Sequence, residues 1–207
     1  LEVLRDQGKT IIVITHKLRE IMAITDYVSV MRQGAMVETL KTADTNPGQI
    51  AELIRSTIPA PEAEIDVWRF VEALAFNWLV AGTDAHAKNY SLLLAGAQVR
   101  LAPLYDIASI LPYDDSGGHR IKLAMKVGDD YKLHRTDRRG AWEHAADELK
   151  LDRERLVARV LDLAERTPEA FANAASSGAV AKLATDLPER LVTLVSERCE
   201  RCRAALS

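Results

Sequence analysis

Several features are missing from this 207-residue chain, and each absence excludes something. Apolar runs such as Ile11-Ile12-Val13-Ile14 stay far below the roughly 20 residues that span a bilayer, so no membrane span is expected. An excess of either charge is missing too: 27 Lys and Arg face 30 Asp and Glu, a net −3. That balance excludes a bulk basic surface for nucleic acid or anionic lipid, though not a local patch. Only two cysteines occur, Cys199 and Cys202, with no second ligand pair and no flanking βαβ pattern. Neither a zinc site nor a thioredoxin-type site follows, and reduced thiols in a cytoplasmic setting are the expectation. No 20–50-residue repeat is present, which excludes a solenoid. The chain starts at Leu1 inside a helix-like segment without a charged-then-apolar leader, so it is expected to be a piece of something larger.

What is present is a normal apolar share, 48%, with 28% charged residues, enough for a packed core. The composition shifts at Ser56–Glu64, where Pro59 and Pro61 remove backbone donors; residues 58–64 therefore read as a linker. Before it, the β-branched run Thr10–Thr15 reads as a strand buried on both faces. Helical spacing at Leu18, Ile21 and Met22 follows, then strands Tyr27–Met31 and Ala35–Leu40 around a turn at Arg32–Gly34, then a short helix Pro47–Ile54.

After the linker a helix begins near Asp66, with Val67, Phe70, Val71, Leu74, Trp78 and Leu79 on one stripe, and ends at Gly82. Strands Tyr90–Leu94 and Val99–Leu101 are joined by a turn at Ala95–Ala97. From Trp142 onward about three helices are expected, broken at Pro168, Gly178 and Pro188. The fold class is thus mixed: a small α/β fragment (1–57), the linker, and a mainly α unit with a short β-hairpin (65–207).

The chemistry concentrates in one loop. Asp84 and Asn89 stand five residues apart between a helix and a strand, and Asp106 follows the hairpin. Protein kinases use that order: one carboxylate orients and deprotonates the attacking hydroxyl, while an amide oxygen and a second carboxylate hold Mg²⁺ against the phosphates. Lys88 is placed to neutralise phosphate charge. The same three residues also suit a turn cap, an Asx turn and a helix start, and spacing alone leaves both readings open.

The wording around them is more specific. Phe76-Asn-Trp-Leu-Val-Ala-Gly-Thr-Asp-Ala-His-Ala-Lys-Asn-Tyr-Ser91 and Arg100-Leu-Ala-Pro-Leu-Tyr-Asp-Ile-Ala-Ser109 closely resemble the C-terminal lobe of the HipA family of serine/threonine kinases, the toxins of bacterial toxin–antitoxin pairs. Lys122–Lys126 and Trp142 are similar to that lobe as well. The resemblance implies Asp84 as catalytic base and Asn89 and Asp106 as Mg²⁺ ligands, with His86, Ala87, Lys88, Asn89, Tyr105 and Asp106 around ATP. It also implies a protein substrate, an antitoxin partner, and DNA met only through that antitoxin.

The front segment resembles something else. Gly8–Ile21, with His16 at the end of a strand, and Asp26–Gly34 are similar to the end of an ABC-transporter ATPase domain of the sugar or nucleoside importer type. That resemblance implies a γ-phosphate contact for His16. The Walker A loop, Walker B acid and signature loop that such a site needs do not precede it, which favours a plain strand-end polar residue. Three functions therefore stand: a HipA-like kinase, weakly active or inactive without an N-terminal lobe; a transporter ATPase fragment; and an inert antitoxin-binding remnant. His119, His134 and His144 read as solvated loop residues, and Lys132–Arg139 as one basic cluster that is either a solvated loop or a DNA- or antitoxin-contacting patch.

Overall fold

The computed structural model describes residues 27–32, 35–41, 46–95, 98–180 and 182–207. Two antiparallel strands open it, β1 (Tyr27–Arg32) and β2 (Ala35–Lys41), with a register shift at Val30/Met31. Helix α1 (Pro47–Thr57) and helix α2 (Glu62–Leu79) follow, then the hairpin β3 (Leu92–Ala95) and β4 (Gln98–Leu101). A third pair, β5 (Lys122–Val127) and β6 (Asp130–Lys132), leads into the short helix α3 (Leu133–Thr136). Three helices complete the chain: α4 (Arg139–Leu149), α5 (Arg153–Ala175) and α6 (Leu187–Leu206). The described part is therefore mainly helical, with three separate two-stranded antiparallel pairs.

Helix α2 is the axis of the core. Its predicted stripe, Val67, Phe70, Val71, Leu74, Trp78 and Leu79, is buried throughout, and it touches α1, α5, α6 and β4. The Trp78 ring meets Trp142 of α4 edge-on, with centroids 5.0 Å apart, and its indole N–H donates to Thr136 Oγ1 at 3.0 Å. Burying two indoles side by side contributes both area and quadrupole complementarity. Arg198 of α6, almost fully buried, donates to the Trp78 carbonyl (3.1 Å) and forks onto Asp137 (3.0 and 3.1 Å). It thereby adds a second donor to an end carbonyl of α2 that already accepts the Ala81 N–H at 3.3 Å. Gly128 is required between β5 and β6: its φ is +59°, and a Cβ there would lie 2.7 Å from the Ala141 carbonyl oxygen.

Four local expectations change. Helix α1 starts where the sequence suggests, with Asn46 and Gln49 in a reciprocal capping box, but runs to Thr57. It then packs on α2 and α4 and places Ile50, Ile54 and Ile58 in the common core. Arg55 reinforces that seat, donating to Glu64 (2.7 Å) and to the Leu149 carbonyl (2.9 Å). Within the stretch read as linker, Ile58 is buried and Glu62 already begins α2; Pro61 sits at its N-cap, where a missing N–H costs nothing. Pro168 does not break the chain either. Helix α5 continues through it because Leu156, Val157, Val160, Ala164 and Thr167 are held in the core, and packing there outweighs one lost backbone bond. Fourth, His134 lies on α3 and His144 on α4, so two of the three histidines read as loop residues are helical. The strand expected at residues 10–15 and His16 lie outside the described residues.

Candidate active site

The loop after α2 begins with a backbone reversal. Ala81 takes a left-handed conformation (φ +52°), and the Gly82 N–H donates to the Asn77 carbonyl at 2.7 Å. From there the chain turns tightly: His86 N–H donates to the Asp84 carbonyl (2.8 Å), Asn89 N–H to His86 (2.9 Å) and Tyr90 N–H to Ala87 (3.2 Å). Residues Ala87–Asn89 form a single 3₁₀ turn. Asp84 and His86 are exposed, with His86 Nε2 3.4 Å from Asp84 Oδ1. Ala87 is half-buried.

The hairpin brings the second half of the motif back onto the first. In the β3–β4 register Leu92 faces Leu101, and one more bond, Ala102 N–H to the Ser91 carbonyl at 2.7 Å, extends the pairing toward the loop. The Ser91 and Tyr105 hydroxyls then meet at 2.6 Å. Farther on, Ile110 N–H donates to the Ala81 carbonyl at 3.3 Å. The segment carrying Asp106 is thus anchored at one end two residues past Asn89 and at the other three residues before Asp84. Asp106 itself is exposed and left-handed (φ +55°), a conformation that Asp tolerates better than most residues. Two non-glycine residues in that region, both bordering one loop system, mark backbone held by its surroundings.

Asn89 differs from its neighbours. Its side chain is only 4% exposed, and its Oδ1 has no hydrogen-bond partner among the described residues. Beside it opens a cavity of about 250 Å³, whose wall includes Phe76, Tyr90, Leu104 and Leu163. A buried carbonyl oxygen without a donor is costly, and such atoms often wait for a ligand, water or ion. Oxygen donors from one amide and one exposed carboxylate suit a hard cation such as Mg²⁺. No cluster of three or more His, Cys, Asp or Glu with ligand geometry exists among the described residues. That does not disqualify the pair, since Mg²⁺ in phosphoryl-transfer sites takes one or two carboxylates plus phosphates and water.

Several residues around the loop carry no obvious sequence signal. Asp66, read only as the start of a helix, is fully buried and accepts from Arg100 Nε (3.0 Å) and Nη2 (2.9 Å), Arg69 (3.0 Å) and the Leu101 N–H (2.6 Å). Burial pushes its carboxyl up, but the Arg100 bonds, then Leu101 and Arg69, outweigh this and hold it below the usual carboxylate range. Asn77, a polar residue on the buried face of α2, lies against Gly82 and Tyr90. The Tyr90 ring meets Phe70 edge-on at 4.8 Å, and burial pushes its phenol well above its ordinary range. The one usable hint was polarity inside an apolar stripe, which requires a partner.

Two arginines of the basic cluster hold acidic partners. Arg135 pairs with Asp130 (3.2 Å), and Arg139 with Glu143 (2.8 Å) and Glu154 (2.6 Å). His119 and His134 stack with centroids 5.1 Å apart. Cys199 and Cys202 are free and buried. Among the described residues no helix is long and apolar enough to cross a membrane.

Comparison with known proteins supplies the context for this geometry. The family described as the HipA-like C-terminal domain matches residues 21–171. The protein Y4mE of Sinorhizobium fredii, whose name calls it a kinase, is 34% identical over 121 residues, 58% of this chain and 27% of that protein. The serine/threonine-protein kinase toxin HipA of Shewanella oneidensis is 33% identical over 99 residues, 47% of this chain and 22% of the toxin. A solved complex of HipA, HipB and operator DNA from Shewanella oneidensis superposes with a TM-score of 0.61 at 24% identity, over 76% of this chain and 35% of that one. A shorter likeness joins 54 residues, 46% identical, to the glucose import ATP-binding protein TsgD13 of Haloferax volcanii, 26% of this chain and 10% of the transporter protein. The chain thus spans about a quarter of the kinase relatives it matches. The import-protein likeness is local, whereas the match to residues 21–171 takes in α1, α2, both loop segments and most of α5: the chain belongs to the family of HipA-like C-terminal domains.

Proposed function

We propose that the chain carries the catalytic loop of a HipA-like serine/threonine kinase, transferring the γ-phosphoryl group of ATP to a protein hydroxyl. The observation that carries this reading is the double anchoring of the Asp106 segment onto the Asp84–Asn89 loop through Tyr105–Ser91 and Ile110–Ala81. A hairpin that returns a carboxylate beside a D-x-x-x-x-N loop is what phosphoryl transfer on a kinase lobe requires.

In this reading Asp84 orients the acceptor hydroxyl and takes its proton as the oxygen attacks phosphorus and the bond to ADP breaks. His86, 3.4 Å from the Asp84 carboxylate, restricts where that carboxylate points. Asn89 and Asp106 would hold Mg²⁺, which supplies neutralisation of phosphate charge when bound. Asn89 must first turn its buried Oδ1 outward, and the unpaired state of that atom makes the turn inexpensive. Ala87, Lys88 and Tyr105 border the nucleotide. ATP use is supported by the names of the kinase and import relatives, and an antitoxin partner, with DNA reached through it, by the HipA–HipB–operator complex.

Kinases cover the phosphates with a second lobe, and this chain matches only 22–27% of its kinase relatives. The isolated chain should therefore bind Mg·ATP weakly and turn over little. Titration calorimetry with ATP, with and without Mg²⁺, tests the reading. Weak, metal-dependent binding that disappears in Asp106→Ala is expected; binding indifferent to both metal and Asp106 would overturn it.

A further inference from the structure

One side chain of α2 reaches both ends of the candidate catalytic loop. Asn77 is 5% exposed and sits in the last turns of the helix, where its Nδ2 donates to the Ala73 carbonyl at 2.9 Å. Its backbone carbonyl receives the Gly82 N–H at 2.7 Å. The contact with Gly82 is closer than any side chain would allow: a Cβ on Gly82 would lie 2.5 Å from Asn77 Oδ1 and 3.3 Å from its Cγ. Gly82 stands two residues before Asp84. On the other side the Asn77 amide lies beside the buried Tyr90 hydroxyl, without a well-formed hydrogen bond between them. Tyr90 follows Asn89 directly, and its ring is locked edge-on against Phe70 of the same helix.

An amide buried on an apolar face costs stability unless it is used. Here one amide hydrogen is spent on its own helix, the amide oxygen lies under Gly82, and the amide as a whole borders the Tyr90 hydroxyl. We propose that Asn77 is a positioning residue for the 83–89 loop, bracing the entry at Gly82 and the exit at Tyr90 so that Asp84 and Asn89 keep a fixed separation. The proposal rests on the kinase reading for its functional half and on the geometry above for its structural half. Alanine at 77 leaves a void under both ends of the loop, and the loop's short internal bonds then open more often than the rest of the fold.

Amide hydrogen exchange on the full chain tests this, because His86, Asn89 and Tyr90 each donate a bond inside the loop. Asn77→Ala should speed exchange at these amides about tenfold or more, while amides in α5 and α6 change far less. The affinity for Mn·ATP, read from paramagnetic broadening, should fall by a similar factor. Uniform acceleration across the fold, or no local change, would overturn the brace. Should Asn77→Ala fail to fold, Gly82→Ala carries the test, since its Cβ would lie 2.5 Å from Asn77 Oδ1 and displace the amide; several-fold acceleration at the same loop amides is expected, and wild-type exchange would refute the entry contact. An unaltered chain that binds no Mn·ATP at all overturns the kinase reading instead, and the exchange measurements then still decide the brace.

Discussion

Asp66 and Arg100 meet through two hydrogen bonds across 34 residues of sequence, carboxylate fully buried and guanidinium half-exposed. The same carboxylate accepts the Leu101 N–H, so the hairpin that returns Asp106 to the loop is fastened to α2 at this point. Asp66→Ala leaves the Leu101 N–H without its acceptor and two arginines without their anion. Breaking a buried pair of this kind costs about 3–5 kcal/mol, and exposure of Arg100 places the loss at the lower end. Urea denaturation of the variant checks the magnitude; a change under about 1 kcal/mol would mean that the hairpin is held by Val99 and Leu101 alone.

The same residue sets an acid limit. Its folded-state carboxyl lies below the usual range, so it binds fewer protons folded than unfolded. The stabilisation is complete above the unfolded carboxylate value, about 3.9, and is lost as pH falls through the lower folded value. Between pH 7 and pH 3, wild type should lose more stability than Asp66→Ala does. Parallel acid titrations of the two would refute the assignment.

At the candidate site the three polar residues should separate by readout. With an N-terminal kinase lobe supplied, Asp84→Asn is expected to lower phosphoryl transfer by roughly 10²–10⁴-fold, the range for a lost general base. Its Mn·ATP affinity should stay near wild type. Asn89→Ala and Asp106→Ala should instead weaken the metal complex. Full transfer activity in Asp84→Asn would leave Asp84 as a loop cap.

Much of this was legible in the sequence because it depended on periodicity. The α2 stripe, the β3–β4 hairpin and the spacing of Asp84, Asn89 and Asp106 all follow from local pattern. What escaped was long-range. An arginine three residues on does not mark Asp66 as buried, since the Arg100 and Leu101 groups that enclose it lie 34 and 35 residues away, and Arg198 reaches Trp78 across 120. Pro61 and Pro168 misled for a related reason: a proline announces a lost donor, but whether a helix starts or survives there is decided by packing partners elsewhere. The buried Asn77 was visible as a letter in a motif, and its role needed the position of Gly82 in space.

The placement of α1 has a consequence for shortening the chain. We propose a functional division between the two sequence likenesses, but α1 packs with the helices behind it. A chain beginning at Asn46 should therefore keep the stability of its helical core, because the capping box and the Arg55 contacts are intact. One beginning at Glu62 loses Ile50, Ile54 and Ile58 from the core, each worth about 1.5–3 kcal/mol when buried. Thermal melts of the two should differ by many degrees. Equal melting temperatures would show that α1 is dispensable.

Cys199 and Cys202 give the last test, one that needs no activity. Both thiols are fully buried on α6, and burial pushes them up, Cys199 to about 11 and Cys202 to about 12. Arg198 pulls the other way without winning. The thiolate is the reactive form, so a native protein at pH 8 should resist a thiol reagent such as a disulfide chromophore for as long as it stays folded. Both cysteines should then react together in denaturant. The linkage also has a sign: the folded values exceed the unfolded value of about 8.5, so this contribution is complete below that pH and declines as pH rises toward 11 and beyond. Replacing both with Ala or Ser should flatten the alkaline decline while lowering stability at pH 7 through lost packing. Rapid native labelling at pH 8 would mean that α6 opens locally, and with it the Arg198 contact that caps α2.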